Sequence, residues 1–263
     1  EKQVLRLKEV QTDLTAGSQW SLTLHGEVLR ADRLLELAQL SVTPAPEAPT
    51  LFTIAGIRLK SGDRVAIVGR NGCGKSSLLT LIWQHYQTEQ ASDSLRLHPR
   101  VTLGYYDQTL HQLPDDASLF DALEPFAPQP DIRKMALISA GFPWIRHAQS
   151  VSTLSGGERS RLLFVGLSLA RFSLLMLDEP TNHLDVESIE WLEKFLIDQN
   201  NLTLLFISHD RSFVDRLATR IVELDRGILR SYEGNYSRYL DLKAQQLEAE
   251  ESRVNIARNE ANR

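Results

Sequence analysis

Cysteine and long hydrophobic runs are scarce in this sequence. Among its 263 residues the single cysteine is Cys73, which excludes an intrachain disulfide framework and fits a reducing compartment. The longest apolar run, residues 162–170, is too short to cross a bilayer, so no membrane segment is expected. The first ten residues contain no apolar signal core and no methionine, so we expect a cytoplasmic chain that is a fragment or a processed product.

The chain also lacks a strong excess of charge of either sign. Its net charge is -5, and its 42% hydrophobic and 24% charged residues are ordinary for a soluble globular protein. A mildly acidic chain does not coat nucleic acid by bulk charge, so we expect no direct role on DNA, although local basic patches remain compatible with this charge. The length suits one large domain, or one domain with a lobe and tails.

Segments with the pattern of strands alternate with segments that favour helices. RVAIVG, SLLMLD and LTLLFISHD have the apolar pattern of strands, and helices are expected from Lys75 to about His85 and from Gly156 to about Ala170. This alternation predicts an α/β fold with a mostly parallel sheet and flanking helices. The region from about Ser118 to Ala148 favours helix but is broken by PFAPQP. The two ends, residues 1–16 and 241–263, favour helices as well, the second one charged and solvated.

A phosphate-binding pattern lies between a predicted strand and a predicted helix. Residues 69–76 match G-x-x-x-x-G-K-[ST], in which glycines let backbone N–H groups form a concave nest for phosphate oxygens. Lys75 can reach the β and γ phosphates, and the Ser76 hydroxyl can ligate Mg²⁺. The apolar stretches on both sides favour this interpretation over an ordinary glycine-rich turn.

Two adjacent carboxylates end the predicted strand LLMLD. Burying Asp178 and Glu179 side by side is costly unless something neutralises them. A phosphate loop needs a second strand that ends in an acid near the bound metal. Asp178 is therefore a candidate to hold Mg²⁺ through water, and Glu179 a candidate to polarise the attacking water.

The segment TLSGGERSR predicts a second anion-binding helix start. Ser155 can cap the helix, and Gly156 and Gly157 leave the first backbone N–H groups uncovered. One chain therefore carries two phosphate cradles but only one set of metal ligands.

Taken in order, these segments and FISHDRSF resemble the nucleotide-binding domain of ATP-binding cassette (ABC) proteins. The resemblance covers roughly residues 34–240 and implies a P-loop ABC ATPase core with an antiparallel β subdomain. It also implies a helical subdomain at about 110–168 that carries the signature helix. In that family two cassettes bind head to tail, and ATP lies between the P-loop of one and the LSGGE of the other. The resemblance thus implies Mg²⁺-dependent hydrolysis of ATP that needs a second cassette for a complete site.

The resemblance also implies roles for individual residues. The phosphates would be bound by Gly69, Arg70, Asn71, Gly72, Cys73, Gly74, Lys75, Ser76 and Ser77. The metal ligands would be Ser76, Gln108 and Asp178, and the catalytic residues would be Glu179, His209 and Gln108. The partner's ATP would contact Ser155, Gly156, Gly157 and Glu158, and a dimer-facing loop would comprise Asn182, His183, Leu184 and Asp185. No aromatic residue lies in SVTPAPEAPT, so Phe52 is the nearest candidate to stack on adenine.

The segments DEPTNHLD, SHDRSF and YEGNYSRYL resemble the ABC-F group, soluble proteins with two cassettes in one chain, many of which act on the ribosome. This resemblance implies one cassette of a tandem protein, with residues 1–33 and 241–263 as pieces of a linker or tail. The implied partners are the ribosome and a second cassette, in the same full-length chain or in a homodimer. The ATP-binding subunit of a membrane transporter is the alternative, and an ATP clamp that hydrolyses slowly also fits. One cysteine excludes a zinc or iron–sulfur cassette, and the short interval between Ser77 and Leu154 excludes a coiled-coil repair ATPase.

Overall fold

The computed structural model describes residues 25–26, 29–38, 40–42, 52–54, 56–88, 92–107, 110, 112–182, 184–198, 202–225 and 228–261. The helix predicted over residues 1–16 lies outside these residues, as do Gln108, His183 and the side chain of Phe52. Within the described part of the chain, no helix is both long enough and apolar enough to span a membrane.

The described strands and helices follow the predicted alternation. The strands are β1 (His25–Gly26), β2 (Leu35–Leu37), β3 (Leu40–Val42), β4 (Phe52–Ile54), β5 (Ile57–Leu59), β6 (Arg64–Gly69), β7 (Leu95–Leu97), β8 (Leu103–Tyr106), β9 (Arg171–Phe172), β10 (Leu174–Asp178), β11 (Thr203–Ile207), β12 (Arg220–Asp225) and β13 (Ile228–Glu233). The helices are α1 (Lys75–Thr88), α2 (Leu119–Ala122), α3 (Pro130–Ser139), α4 (Gly156–Leu169), α5 (Val186–Ile197), α6 (Arg211–Leu217) and α7 (Tyr236–Ala261).

The larger of two compact units contains the main sheet and comprises Gly26–Thr109, Phe172–Asn182 and Leu192–Arg263. The strand order is β13-β12-β6-β11-β10-β8, parallel from β12 to β8, with β13 antiparallel at the edge. All residues of β10 and β11 are buried, which explains their continuous apolar sequences. A separate antiparallel sheet, β5-β2-β7, and the antiparallel pair β3-β4 also belong to this unit. The predicted α/β class with an antiparallel β part is confirmed.

The register of the parallel strands brings three loops to one edge of the sheet. Asp178 at the end of β10 pairs with Ile207 at the end of β11, and Ile207 pairs with Ile67 of β6. Because parallel strands end at the same edge, the loops after β6, β10 and β11 lie side by side. These loops and the residues next to them include the candidate site residues that the structure describes in the larger unit.

The smaller unit contains helices α2, α3 and α4 and two short 3₁₀ turns, at Trp144–Arg146 and Val151–Thr153. The sequence PFAPQP ends the first helical stretch, and α3 begins at Pro130, where a missing N–H costs nothing. Gly166 in α4 faces Phe126 so closely that a Cβ would lie 2.6 Å from the aromatic ring. Glycine at this position therefore allows α4 to pack against the chain at Phe126.

Helix α7 begins before the charged tail and is continuous across residues 240 and 241. Its first turns dock on the hairpin of β12 and β13. The Tyr239 hydroxyl donates to Glu223 Oε1 at 2.7 Å, Lys243 forms an ion pair with Glu223, and the Tyr232 hydroxyl donates to Gln246 Oε1 at 3.0 Å. Lys243 and Gln246 therefore make contacts with the hairpin that the expectation of a solvated tail did not include. The apolar and charged groups of the hairpin supply a docking surface that the tail's composition does not reveal.

Candidate functional site

The phosphate-loop pattern folds as a turn between β6 and α1. Gly72 and Gly74 have positive φ angles of 75° and 102°, conformations that glycine adopts without steric cost. Lys75 is 8% exposed, and its ammonium group donates to the carbonyl oxygens of Gly69 and Arg70 at 3.0 and 2.9 Å. The loop thus holds the Lys75 ammonium group within its own turn at the N-terminal end of α1, where a bound phosphate would accept hydrogen bonds from it.

Gly69 lies against the neighbouring strand β12. A Cβ at this position would be 2.4 Å from the carbonyl oxygen of Leu224, with which Gly69 is paired in the sheet. Any side chain would push the loop away from the strand. The first glycine of the motif is therefore required for close backbone approach as well as for the turn.

Ser76 and Asp178 meet although 102 positions separate them. The Ser76 hydroxyl donates to Asp178 Oδ1 at 3.0 Å, and Asp178 is 2% exposed. Burial is the main cause that raises the pKa of Asp178 to about 6, and the nearby carboxylates of Glu179 and Asp107 raise it further. A cation at this place would relieve the cost of the buried charge.

The donor set of this pair fits Mg²⁺. A hydroxyl and a carboxylate supply the hard oxygen ligands that Mg²⁺ prefers, and this ion usually takes few protein ligands together with phosphate and water. The described parts of the chain hold no group of three or more His, Cys, Asp or Glu residues arranged for a metal. Ser76 and Asp178 would hold the ion, whereas Gln108, the third predicted ligand, lies outside the described residues.

Glu179 is held in an unusual backbone conformation. Its φ angle is 49°, in the left-handed region that non-glycine residues rarely adopt, and its backbone N–H donates to the carbonyl of Ile207 at 3.0 Å. The carboxylate is 5% exposed and accepts from the backbone N–H of His209 at 3.0 Å. His209 Nε2 lies 3.1 Å from the other carboxylate oxygen. The structure therefore joins Glu179 and His209 in a direct contact, which the sequence did not predict.

A pocket of about 230 Å³ adjoins these residues. Its lining includes Lys75 and His209, which the sequence singled out, and also Arg211 and Tyr236, which it did not. The remaining lining residues are Ile67, Val68, Gly69, Ser208 and Val214. Arg211 could have been found from its position two residues after His209, at the start of α6. Tyr236 could not, because only the tertiary structure brings the start of α7 to this pocket.

The LSGGE segment forms the start of α4 in the smaller unit. Ser155 is the N-cap, its hydroxyl accepts from the backbone N–H of Glu158 at 3.3 Å, and the Glu158 carboxylate accepts from the backbone N–H of Ser155 at 3.1 Å. This reciprocal pair is a capping box. Ser155 and Gly156 are exposed, so the helix start is open to solvent at the position predicted to meet an anion.

The predicted dimer-facing loop follows Glu179. The backbone N–H of Asn182 donates to the Glu179 carbonyl at 3.2 Å, which closes a turn. Asp185 caps α5, because its carboxylate accepts from the backbone N–H of Ser188 at 2.8 Å. Hydrogen bonds from Ser188 also hold the pKa of Asp185 below its usual value. Asp185 thus orients the start of α5. Leu184, the residue before it, is partly buried.

Comparison with known proteins identifies relatives of this chain. Two family profiles, both described as ABC transporter, match residues 53–182 and residues 222–263. The chain is 36% identical over 254 residues to the ATP-binding protein YdiF of Bacillus subtilis, a match that covers 95% of this chain and 38% of YdiF. It is 36% identical to ABC transporter F family member 5 of Arabidopsis thaliana, over 78% of this chain and 30% of that protein. It is also 32% identical to elongation factor 3 of Phytophthora infestans, over 73% of this chain and 18% of that protein.

The chain therefore spans less than two fifths of the length of these curated relatives. Among solved structures, an ABC transporter in an inward-facing conformation matches with a TM-score of 0.58 and 22% identity, over 76% of this chain and 83% of that chain. At this identity the likeness supports the fold alone. Profiles, relatives and fold agree, and this chain belongs to the ATP-binding cassette (ABC) family, whose nucleotide-binding domains bind ATP with Mg²⁺ and hydrolyse it.

Proposed function

We propose that this chain is one cassette of an ABC-F type ATPase. The LSGGE segment of a second cassette covers the ATP that is bound at the P-loop of this one. The second cassette belongs to the same full-length chain or to the other subunit of a homodimer. The observation that carries the proposal is the convergence of Lys75, the Ser76–Asp178 pair and the Glu179–His209 pair at one edge of the sheet. The signature helix α4 has an exposed, capped start and carries none of these metal ligands, which suits the ATP of another cassette.

Each residue of the larger unit has a distinct task in this proposal. The loop of residues 69–77 binds the phosphates through its backbone N–H groups, and Lys75 exchanges its two loop carbonyls for phosphate oxygens. Ser76 and Asp178 hold Mg²⁺ together with Gln108. When bound, Mg²⁺ neutralises phosphate charge that develops during transfer.

Glu179 acts as the general base that accepts a proton from the attacking water. Its rare backbone conformation and its two contacts with His209 fix the direction of the carboxylate. His209, with a side chain that is 56% exposed, can turn from Glu179 toward the γ-phosphate while its backbone N–H keeps the carboxylate in place. Glu179 is thus positioned before the substrate arrives, as general-base catalysis requires.

The substitution Glu179→Gln tests this function. It keeps the shape and hydrogen bonding of the side chain but removes the base, so hydrolysis should fall by roughly 10²-fold or more. ATP and Mg²⁺ should still bind, and the variant should accumulate as an ATP-bound dimer in size-exclusion chromatography. Glu193→Gln is the matched control, because Glu193 is a similarly buried glutamate. Its ion pair with Arg216 is 2.7 Å long, and neither residue lines the pocket. A Glu179→Gln chain that stays monomeric and turns over like the wild type would refute both the base and the shared site.

The ABC-F assignment extends the proposal to translation in the cytoplasm. Support comes from the relatives, which include members of the F family and a protein named elongation factor 3. The alternative is the ATP-binding subunit of a membrane transporter, and it has support in the description of the two matching profiles, ABC transporter.

ATP turnover with and without ribosomes separates the two functions. The ABC-F function predicts that purified ribosomes raise turnover per chain and that the Glu179→Gln chain cosediments with ribosomes only when Mg-ATP is present. Lipid vesicles at the same mass concentration serve as the comparison. If ribosomes leave turnover unchanged and no cosedimentation occurs, the ribosomal role is refuted, whereas the proposed ATPase function is not.

A further inference from the structure

Arg146 connects the signature helix to the loop before it. Its guanidinium Nη1 donates to Glu158 Oε1 at 2.7 Å, while Glu158 Oε2 accepts from the backbone N–H of Ser155 at 3.1 Å. Arg146 Nε donates to Gln149 Oε1 at 2.8 Å, and Gln149 in turn donates to Thr153 Oγ1 at 2.7 Å. The two oxygens of Glu158 are therefore divided between the guanidinium and the helix cap.

The pair of Arg146 and Glu158 is partly shielded from solvent, with side-chain exposures of 32% and 28%. The hydrogen bond from Arg146 is the main reason that the pKa of Glu158 is lowered, and the backbone hydrogen bond from Ser155 adds to it. Glu158 is thus fully charged at neutral pH. Arg161 also lies within electrostatic range of Glu158, but its charge is shared with Asp185.

A charged carboxylate disfavours the binding of a phosphate group next to it. Glu158 lies in the first turn of α4, three residues after Ser155, and a triphosphate brought to this helix start would be repelled by it. A glutamine at this position would complete the same capping box without the charge. Something must offset the charge if the segment is to receive an anion, and Arg146 is the cation that bonds to it directly.

We propose that Arg146 is a positioning residue of the signature motif. It neutralises Glu158 and fixes the carboxylate in the capping box, so that the turn from Ser155 to Gly157 can receive the terminal phosphate of ATP held by a second cassette. This inference rests on the proposed function, because it assigns a task to the signature motif within the shared site. Arg146 itself touches neither nucleotide nor metal in this arrangement.

The test measures dimer formation in the Glu179→Gln background, in which ATP is retained. Analytical ultracentrifugation over a range of chain concentrations with Mg-ATP gives the dimer dissociation constant. Adding Arg146→Met, which keeps the apolar length but removes the charge, should weaken the dimer by about tenfold or more, or about 1.4 kcal/mol. Binding of a fluorescent ATP analogue to the monomer should change less than about twofold. The monomer binds nucleotide at its P-loop, whereas the pair of Arg146 and Glu158 belongs to the signature segment.

A second substitution distinguishes charge neutralisation from a general loss of structure. Glu158→Gln removes the charge but keeps the cap, so Arg146→Met should have little further effect in a Glu158→Gln background. Asp115→Asn is the control, since it breaks the other short ion pair of this helix, from Arg159 to Asp115 at 2.6 Å, and should leave the dimer unchanged.

The outcomes separate the inference from the function on which it rests. If the Glu179→Gln chain does not dimerise with Mg-ATP, the shared site is wrong and the inference falls with it. If that chain dimerises and Arg146→Met dimerises equally tightly, the inference alone is wrong. If Arg146→Met weakens the dimer to the same extent with and without the Glu158→Gln substitution, Arg146 acts by stabilising the subdomain, and its role toward Glu158 is refuted.

Discussion

Asp178 shows how a single residue can make the fold less stable by itself and still suit the proposed metal site. Its carboxylate is almost fully buried, and the Ser76 hydroxyl is the hydrogen-bond donor that offsets part of the cost. Burial raises the pKa of Asp178 from 3.8 to about 6, so the folded chain binds more protons than the unfolded chain between about pH 4 and pH 6. Stability contributed by this group is therefore present at low pH and lost as the pH rises through 6.

We expect Asp178→Asn to raise the melting temperature at pH 7.5 in the presence of a chelator and without nucleotide. The gain should be on the order of 1–3 kcal/mol, several degrees for a chain of this size, and should shrink as the pH falls from 6 toward 4. With Mg-ATP the order should reverse, because wild type gains binding energy that the variant lacks. Asp185→Asn is the control: the pKa of Asp185 is lowered, so its removal should give no gain at pH 7.5. Equal melting temperatures of wild type and Asp178→Asn at pH 7.5 would contradict a buried charge at this position.

At the scale of elements, helix α7 divides into a docked start and an exposed remainder. Glu223 on β12 is 6% exposed and is surrounded by Tyr239, Lys243 and Tyr232. Residues 244–252 are exposed. Among them, Gln246 contacts the hairpin, since it accepts a hydrogen bond from the Tyr232 hydroxyl at 3.0 Å. Glu223 also pairs with Val68, immediately before the P-loop, so the strand on which α7 docks is the neighbour of β6.

Two truncations should therefore differ in stability. Ending the chain after Asp241 removes Lys243 and leaves a buried carboxylate with fewer partners, which should cost about 1–3 kcal/mol of unfolding free energy. Ending it after Leu247 keeps these contacts and should leave the urea midpoint nearly unchanged. Chemical denaturation followed by tryptophan fluorescence measures both. Equal midpoints for the two truncations would show that the docked turns of α7 do not stabilise the hairpin.

At the scale of the whole molecule, the proposed shared site would separate the P-loop function of one chain from the signature function of another. Lys75→Ala removes the first, and Gly157→Asp places a carboxylate in the second at a helix start where Asp is well tolerated. Each variant alone should be inactive. An equal mixture should recover about a quarter of wild-type turnover, because half of randomly paired dimers contain one intact site.

The informative control mixes Lys75→Ala with Glu179→Gln. Both changes affect the P-loop side, so neither site of the mixed dimer is complete and no activity should return. Recovery in the control mixture, or none in the first mixture despite an active wild type, would contradict a site built from two cassettes. Turnover per chain that does not rise with chain concentration would also contradict a site built from two cassettes.

The sequence by itself determined the chemistry that depends on local spacing. The P-loop glycines, Lys75 and Ser76 lie within one short loop, and Asp178 and Glu179 are adjacent at the end of an apolar strand. Ser155 could be predicted as a helix cap because capping depends on neighbours a few positions away. Alternating strands and helices likewise predicted a parallel sheet, because hydrophobic periodicity reports local burial.

Only the tertiary structure decided which of these local features meet. The bond from Ser76 to Asp178 and the contact of Glu179 with His209 depend on the order and register of β6, β10 and β11, which no local pattern encodes. The same holds for Tyr236 in the pocket and for the docking of α7 on Glu223. Contacts between distant positions arise from the packing of whole elements. Many buried residues together contribute the free energy that selects one strand register, and no single motif supplies it.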